Sequence, residues 1–206
     1  LSDFNKTIGY GPDQGKTVLE SARRQGFYVV QDAAALNSYK GNKRLLGLFS
    51  GGTLTPEWAG ERAVESGVTA QRCRTGQRPA EQPSLAAMTR RATGILKQRS
   101  KGKKKGFFLQ VEGADPDKGA HRADPCWMIG GVVALNEAVK VGLEFVKKNP
   151  KTLLIVTADH GQSSQILPYP GAGKTAMLTT NEGSPMFLGY GTSDGDSQEH
   201  AGIPVP

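Results

Sequence analysis

The sequence predicts an α/β protein built on a mostly parallel sheet sandwiched between helices, with residues 1–206 forming part of a single domain. Two runs carry that expectation: GFFLQVEG (106–113) and TLLIVTADH (152–160) are continuously apolar rather than alternating, and a long amphipathic segment separates them. Strand, helix and strand with continuous apolar strands is the pattern of a parallel sheet covered on both faces. The composition agrees: 37% hydrophobic and 22% charged side chains in 206 residues is ordinary for a globular chain able to bury a core.

In order along the chain, KTVLESARRQ places Val18, Leu19 and Ala22 on one helical face, Gly26 breaks the helix, and FYVV follows as a short buried strand. A second strand is expected at LLGLF, residues 45–49. From Gly51 to Gln82 turn formers and charges dominate without a sustained period. Pro83 and Ser84 then open a helix whose Leu85, Met88, Ala92 and Ile95 share a face. After the strand 106–113, Val132, Leu135, Val139, Gly142 and Val146 predict a long helix that Pro150 ends, before the strand at 152–160. Right-handed crossovers would bring Glu112 and the Asp159–His160 pair to one edge of the sheet, where ligands bind in open sheets of this kind.

The net charge of +7 is local: residues 97–105, KQRSKGKKK, hold six basic and no acidic residues, leaving 20 basic against 19 acidic elsewhere. Such a run is either a solvated connection or a polyanion contact, and the absence of interleaved aromatics argues against nucleic acid. No apolar run approaches the ~20 residues that span a bilayer, so no membrane partner is expected, and LSDFNKTIGYG lacks the build of a signal peptide. The start at Leu1 and the strand-like IPVP at the other end both read as truncations. Cys73 and Cys126 lack CxxC spacing, which leaves two free thiols or one disulfide of an oxidising compartment.

Each of the three histidines has a carboxylate close in sequence: Asp117 lies four residues before His121, Asp159 adjoins His160, and His200 follows the acids of DGDSQEH. A four-residue spacing on a helix puts both side chains on one face. Mixed imidazole and carboxylate donors suit zinc, whereas Glu112, with no histidine nearby, suits a harder ion such as magnesium. GPDQGKT and GAGKT echo the phosphate loop, but Tyr10 and Pro168 stand where its first glycine belongs, so nucleotide hydrolysis is set aside.

The motifs GFFLQVEGADPDKGAHRADPCWMIG, NEAVKVGLEFVKKNPKTLLIVTADHGQSSQIL and DSQEHAG, in this order, closely resemble the carboxyl-terminal half of bacterial periplasmic alkaline phosphatases. Weaker similarity runs through GKTVLESARRQGFYVVQDAAALNS and LLGLF. The resemblance implies an alkaline-phosphatase-like partial domain using two zinc ions and one magnesium. Asp117, His121 and His200 would bind one zinc, Asp159 and His160 contribute to the second, and Glu112 to the magnesium. It further implies that Lys118 reaches the phosphate and that Cys73 and Cys126 pair as a disulfide. Phosphate monoesters would be the substrates, a periplasmic or secreted location the setting, and a homodimer the assembly.

The chain departs from the family pattern at Gln162, where many relatives carry a histidine, with an expected effect on support of the second zinc, and at Asp115–Pro116. No Asp-Ser-Ala stretch occurs, so the serine of the family's phosphoserine intermediate has no counterpart here; Ser163 and Ser164 do not match it. Alternatives kept beside this expectation are a non-catalytic zinc-binding fragment and a related metal-dependent phosphodiesterase or sulfatase.

Overall fold

A computed structural model describes residues 3–103, 106–162, 164–171 and 173–191. The protein is mixed α/β, and its first half begins as expected. Helix α1 (Val18–Arg24) opens on a capping box: the Glu20 amide donates to the Thr17 hydroxyl while the Thr17 amide donates to the Glu20 carboxylate. Strand β1 (Phe27–Val30) then pairs parallel with β2 (Arg44–Gly47), Phe27 opposite Arg44 and Val30 opposite Gly47. Parallel neighbours need a crossover, and α2 (Ala33–Ser38), capped by Asp32, supplies it.

The unreadable stretch resolves into four two-residue strands: β3 (Trp58–Ala59), β4 (Val64–Glu65), β5 (Ala70–Gln71) and β6 (Arg74–Thr75). β3 pairs with β6, while β4 and β5 both flank β8 (Lys174–Thr179). The largest sheet orders β4, β8, β9 (Pro185–Tyr190) and β7 (Ser164–Leu167), with β5 also on β8; only the β5–β8 pairing is parallel.

The expected mostly parallel sheet is therefore corrected. Residues 107–112 and 153–158 lie outside any helix, and neither forms a ladder among the described residues. Phe108 is 85% exposed, Leu153 82% and Ile155 72%, far outside the range of a covered central strand. A continuous apolar run reports that a segment favours burial; pairing also needs a neighbour on each side, and a run carries no information about that neighbour.

Helix α3 (Leu85–Ser100) starts at the Ser84 cap, as its sequence predicts. Its expected apolar face is half-buried, and the residues buried most deeply are Thr89 and Thr93. Each donates its hydroxyl to the carbonyl four residues back, which satisfies the group without a tertiary partner. Helix α5 (Pro125–Lys148) has Asp124 as cap, Pro125 in its first turn and Lys147 and Lys148 in its last, each suited to its end of the macrodipole.

The buried stripe of α5 is Cys126, Trp127, Gly130, Gly131, Ala138 and Val141, whereas Val132 of the expected stripe is 53% exposed. The expected stripe is a second face: Gly142 sits under the Leu154 side chain of the 153–158 segment. On the other side Cys126, Ala123 and Ala63 pack with Ala176, Leu178, Leu188 and Tyr190 of the sheet, with Trp58, Met128 and Ile129 around them. That core fixes the start of α5, and the site is built beside it.

Candidate metal centre

Helix α4 (Asp115–His121) is a seven-residue element that packs antiparallel-fashion against α5 through glycines. A Cβ on Gly119 would lie 2.4 Å from the Met128 amide nitrogen, and one on Gly131 would lie 2.6 Å from the Asp115 Cβ. Separations under 3 Å are not available to real side chains, so only glycine permits this approach. The turn between the helices passes through Ala123 at φ 51°, with the Asp124 amide donating to the Gly119 carbonyl at 2.9 Å. Asp124 then caps α5 by accepting from the Trp127 amide at 2.9 Å.

With α4 held in this way, the four-residue spacing acts as expected: Asp117 Oδ1 lies 3.4 Å from His121 Nε2. The segment after Val156 approaches the same carboxylate, placing His160 Nε2 3.6 Å from Asp117 Oδ1 and 3.7 Å from Asp159 Oδ2. Gln162 Nε2 donates a hydrogen bond to Asp117 Oδ1. Asp117, His121, Asp159, His160 and Gln162 are thus brought together from two segments far apart in sequence.

His160 is oriented by its own backbone neighbourhood. Its Nδ1 lies 2.9 Å from the Gly161 carbonyl oxygen. A carbonyl can only accept, so this bond requires the proton on Nδ1 and leaves the Nε2 lone pair facing Asp117 in the neutral ring. The same bond, together with the charges of Asp159 and Asp117 and against the effect of burial, raises the pKa of His160 above its ordinary value. Behind the site, burial raises the carboxyl of Asp115, with Glu57 adding to the effect and Trp127 and Lys118 opposing it.

The donor types fit zinc, and the pair distances fit as well. Ligands ~2.0–2.2 Å from a tetrahedral ion are separated from each other by about 3.3 Å, close to the 3.4 Å between Asp117 Oδ1 and His121 Nε2. These contacts are pairwise: among the described residues no three histidine, cysteine or acidic side chains form a ready cage for an ion. Glu112 is exposed at the end of its segment and joins none of the contacts, Lys118 lies half-buried on α4, and His200 falls outside the described residues. Cys73 and Cys126 are joined by a disulfide, with Cα atoms 5.3 Å apart.

Several contributions escaped sequence reasoning. Gln162 was expected to alter support of the second zinc, yet its bond goes to Asp117, a residue expected at the first. The Gly161 carbonyl could not be anticipated, because any residue supplies one. The glycine contacts between α4 and α5 were legible only as the G–G pair at 130–131, which in a helix signals either weakness or close approach.

The structure is thus a mixed α/β protein in which a helix and a distant segment bring two imidazoles and an amide to one carboxylate oxygen, with donor types of the kind that metal ions take. The comparison with known proteins narrows this: the family model described as alkaline phosphatase matches residues 5–204, and the chain belongs to the alkaline phosphatase family. It is 45% identical to the alkaline phosphatase of Escherichia coli (strain K12) over 97% of this chain and 43% of that protein. It is 44% identical to streptomycin-6-phosphate phosphatase of Streptomyces griseus over 98% of this chain and 47% of that protein. The chain thus spans about half the length of these curated relatives. Among solved structures, that of Thermus thermophilus alkaline phosphatase matches with a TM-score of 0.47 and 27% identity, covering 66% of this chain and 24% of that one.

Proposed function

We propose that the protein to which these residues belong is a zinc- and magnesium-dependent hydrolase of phosphate monoesters. The observation that carries the reading is the convergence of His121, His160 and Gln162 on one oxygen of Asp117. In this reading Asp117, His121 and His200 hold one zinc, Asp159 and His160 contribute to a second, and Glu112 contributes to magnesium. Bound ions of this kind supply Lewis acidity and positive charge at a phosphoryl group.

The chain's own residues prepare that site. Gln162 fixes the Asp117 carboxylate, the Gly161 carbonyl sets the His160 tautomer, and α4 presents Asp117 and His121 on one face. Lys118, next to Asp117 on α4, is proposed to contact the phosphate. No residue of this chain is assigned as nucleophile; the serine of the phosphoserine intermediate is proposed to lie outside these residues. The disulfide supports a periplasmic or secreted location, since such bonds persist in oxidising compartments. A homodimer is the proposed assembly.

The test has two parts. Calorimetric titration of zinc into the metal-free chain should show uptake that Asp117→Asn weakens by at least tenfold, and equal uptake by the variant would remove Asp117 from the site. The protein isolated from its source should turn over phosphate monoesters faster than diesters or sulfate esters. Faster diester or sulfate turnover would replace the reading, and zinc uptake with no ester hydrolysis would make this a non-catalytic zinc-binding protein. The similarity to streptomycin-6-phosphate phosphatase favours a second, narrower reading, in which streptomycin 6-phosphate is preferred over simple monoesters. The ratio of kcat/KM for the two substrate types separates them.

A further inference from the structure

The positive charge of this chain is far more concentrated than its net value conveys. Residues 33–56 and 82–111 together carry eleven lysines and arginines and no aspartate or glutamate, leaving fifteen basic against nineteen acidic residues in the rest. The molecule is therefore a strongly basic part joined to a mildly acidic one. The fold places the two acid-free tracts side by side: Arg91 Nε donates to the Leu36 carbonyl at 2.9 Å, and Arg99 Nη2 donates to the Lys43 carbonyl.

Along α3 the exposed cations Arg90, Lys97 and Lys101 recur at seven and four residues, which puts them on one face over about 16 Å of helix. Lys103 continues the line beyond the helix end, and Lys40 and Lys43 flank it from the neighbouring loop, all three exposed. Between the cations lies Gly94, over which a Cβ would meet no atom within 4 Å. Glycine inside a helix costs roughly 1 kcal/mol relative to alanine, so an open position here is a feature to explain. It helps form a shallow depression of about 450 Å³ lined by Gly94, Lys97, Gln98 and Lys101.

Complementing the helix dipole accounts for Lys97 and Arg99 in the last turn of α3, but not for Lys101 and Lys103 beyond it or for Lys40 and Lys43 on another segment. None of the exposed lysines of this face forms an ion pair among the described residues. We propose that this face binds an extended chain of phosphates, of the inorganic polyphosphate type, laid along α3 over Gly94 and held by charge alone. Lysines are strongly hydrated point charges suited to phosphate without fixed geometry, and α3 carries no aromatic side chain on which a base could stack. The proposal does not depend on the phosphatase reading.

The test is fluorescence anisotropy of end-labelled inorganic polyphosphate with the full chain across a salt series. Saturable binding is expected at low salt. Lys97→Gln, Lys101→Gln and Lys103→Gln together should weaken it about tenfold or more near 50 mM salt and reduce the slope of log K against log salt by about 2, from ~0.7 per neutralised contact. Replacing all three by arginine should retain binding. Arg62→Gln, Arg72→Gln and Arg74→Gln, which remove the same charge elsewhere, should change affinity less than twofold. Equal losses in the two glutamine triples would reduce the effect to net charge and overturn the proposal. So would a lack of polyphosphate binding at low salt, tighter binding of a single-stranded oligonucleotide of equal charge, or binding confined to anionic lipid vesicles.

Discussion

Removing the Cys73–Cys126 disulfide tests how the least regular part of the chain is held. The bond closes a loop across a sequence separation of 53, for which chain entropy gives a stabilisation on the order of 4 kcal/mol. Cys73 lies between β5 and β6, in a stretch where β3, β4, β5 and β6 are only two residues each, and the bond ties that stretch to the first turn of α5. Strands of this length contribute little pairing of their own, so the covalent tie should dominate. The packing around it is close: Cys126 is fully buried, and a Cβ on Gly60 would fall 2.3 Å from its sulfur. Cys73→Ala with Cys126→Ala should therefore lower the unfolding free energy by about 4 kcal/mol and the Tm by roughly 8–16 °C for a chain of this size. Urea and thermal unfolding followed by circular dichroism would measure both. A loss below about 1 kcal/mol would refute the reasoning, because packing against β8 and α5 would then hold this stretch without the staple.

Other perturbations follow from single contacts. Asp124→Ala removes the acceptor for the Trp127 amide and should cost about 1 kcal/mol in urea unfolding; an unchanged midpoint would mean that Pro125 and the disulfide already fix the start of α5. Gln162→Leu removes the donor to Asp117, and zinc affinity measured by calorimetry should fall roughly 10- to 100-fold with thermal stability unchanged, whereas equal affinity would make the bond incidental. The Arg24 guanidinium, the Ser21 hydroxyl and, more weakly, Lys16 hold the Asp13 carboxyl well below the usual carboxylate range. A folded pKa below the unfolded value of about 3.9 means that this group stabilises the fold fully above that pH and loses the contribution as pH falls towards the folded value. Asp13→Asn should accordingly flatten the decline of stability below about pH 4, and parallel urea midpoints for both proteins from pH 6 to 2.5 would exclude the effect.

Legibility differed by element for physical reasons. The capped helices were readable because the signals are local: Thr17 with Glu20 and Ser84 each stand within three residues of the amide they satisfy. Strands β1 and β2 were readable as two short apolar runs, whereas the short helix α2 between them and their parallel pairing carried no such signal. The stretch 51–82 was not readable, because two-residue strands leave no period, and the partner of β4 and β5 lies about a hundred residues away on β8. The Asp117–His121 contact was visible as a helical spacing, whereas its link to His160 depends on the tertiary path of residues 153–162. The buried face of α5 was misread because the helix has two apolar stripes, and glycines mark the more deeply buried one.

The two unpaired segments and the candidate site are one problem. Residues 107–112 end in Glu112 and residues 153–158 lead directly into Asp159 and His160, so the proposed ligands sit at the ends of the backbone that lacks a ladder. A ligand on a paired strand inherits the rigidity of its sheet; on an unpaired one it must be fixed by side-chain contacts, and here Asp117 and Gln162 are the ones that hold the second segment to α4. Leu154 over Gly142 shows that one face of that segment already has a seat on α5, while Leu153 and Ile155 on the other face remain in solvent. Strands pairing with the edges of these segments would satisfy their backbone and set the separation of Glu112 from Asp159 and His160, whereas covering Leu153 and Ile155 takes a layer packed on that face. In the proposed function, the separation of Glu112 from Asp159 and His160 would therefore depend on how these segments pair, whereas the helix-borne contact of Asp117 with His121 is already defined by the packing of α4 on α5.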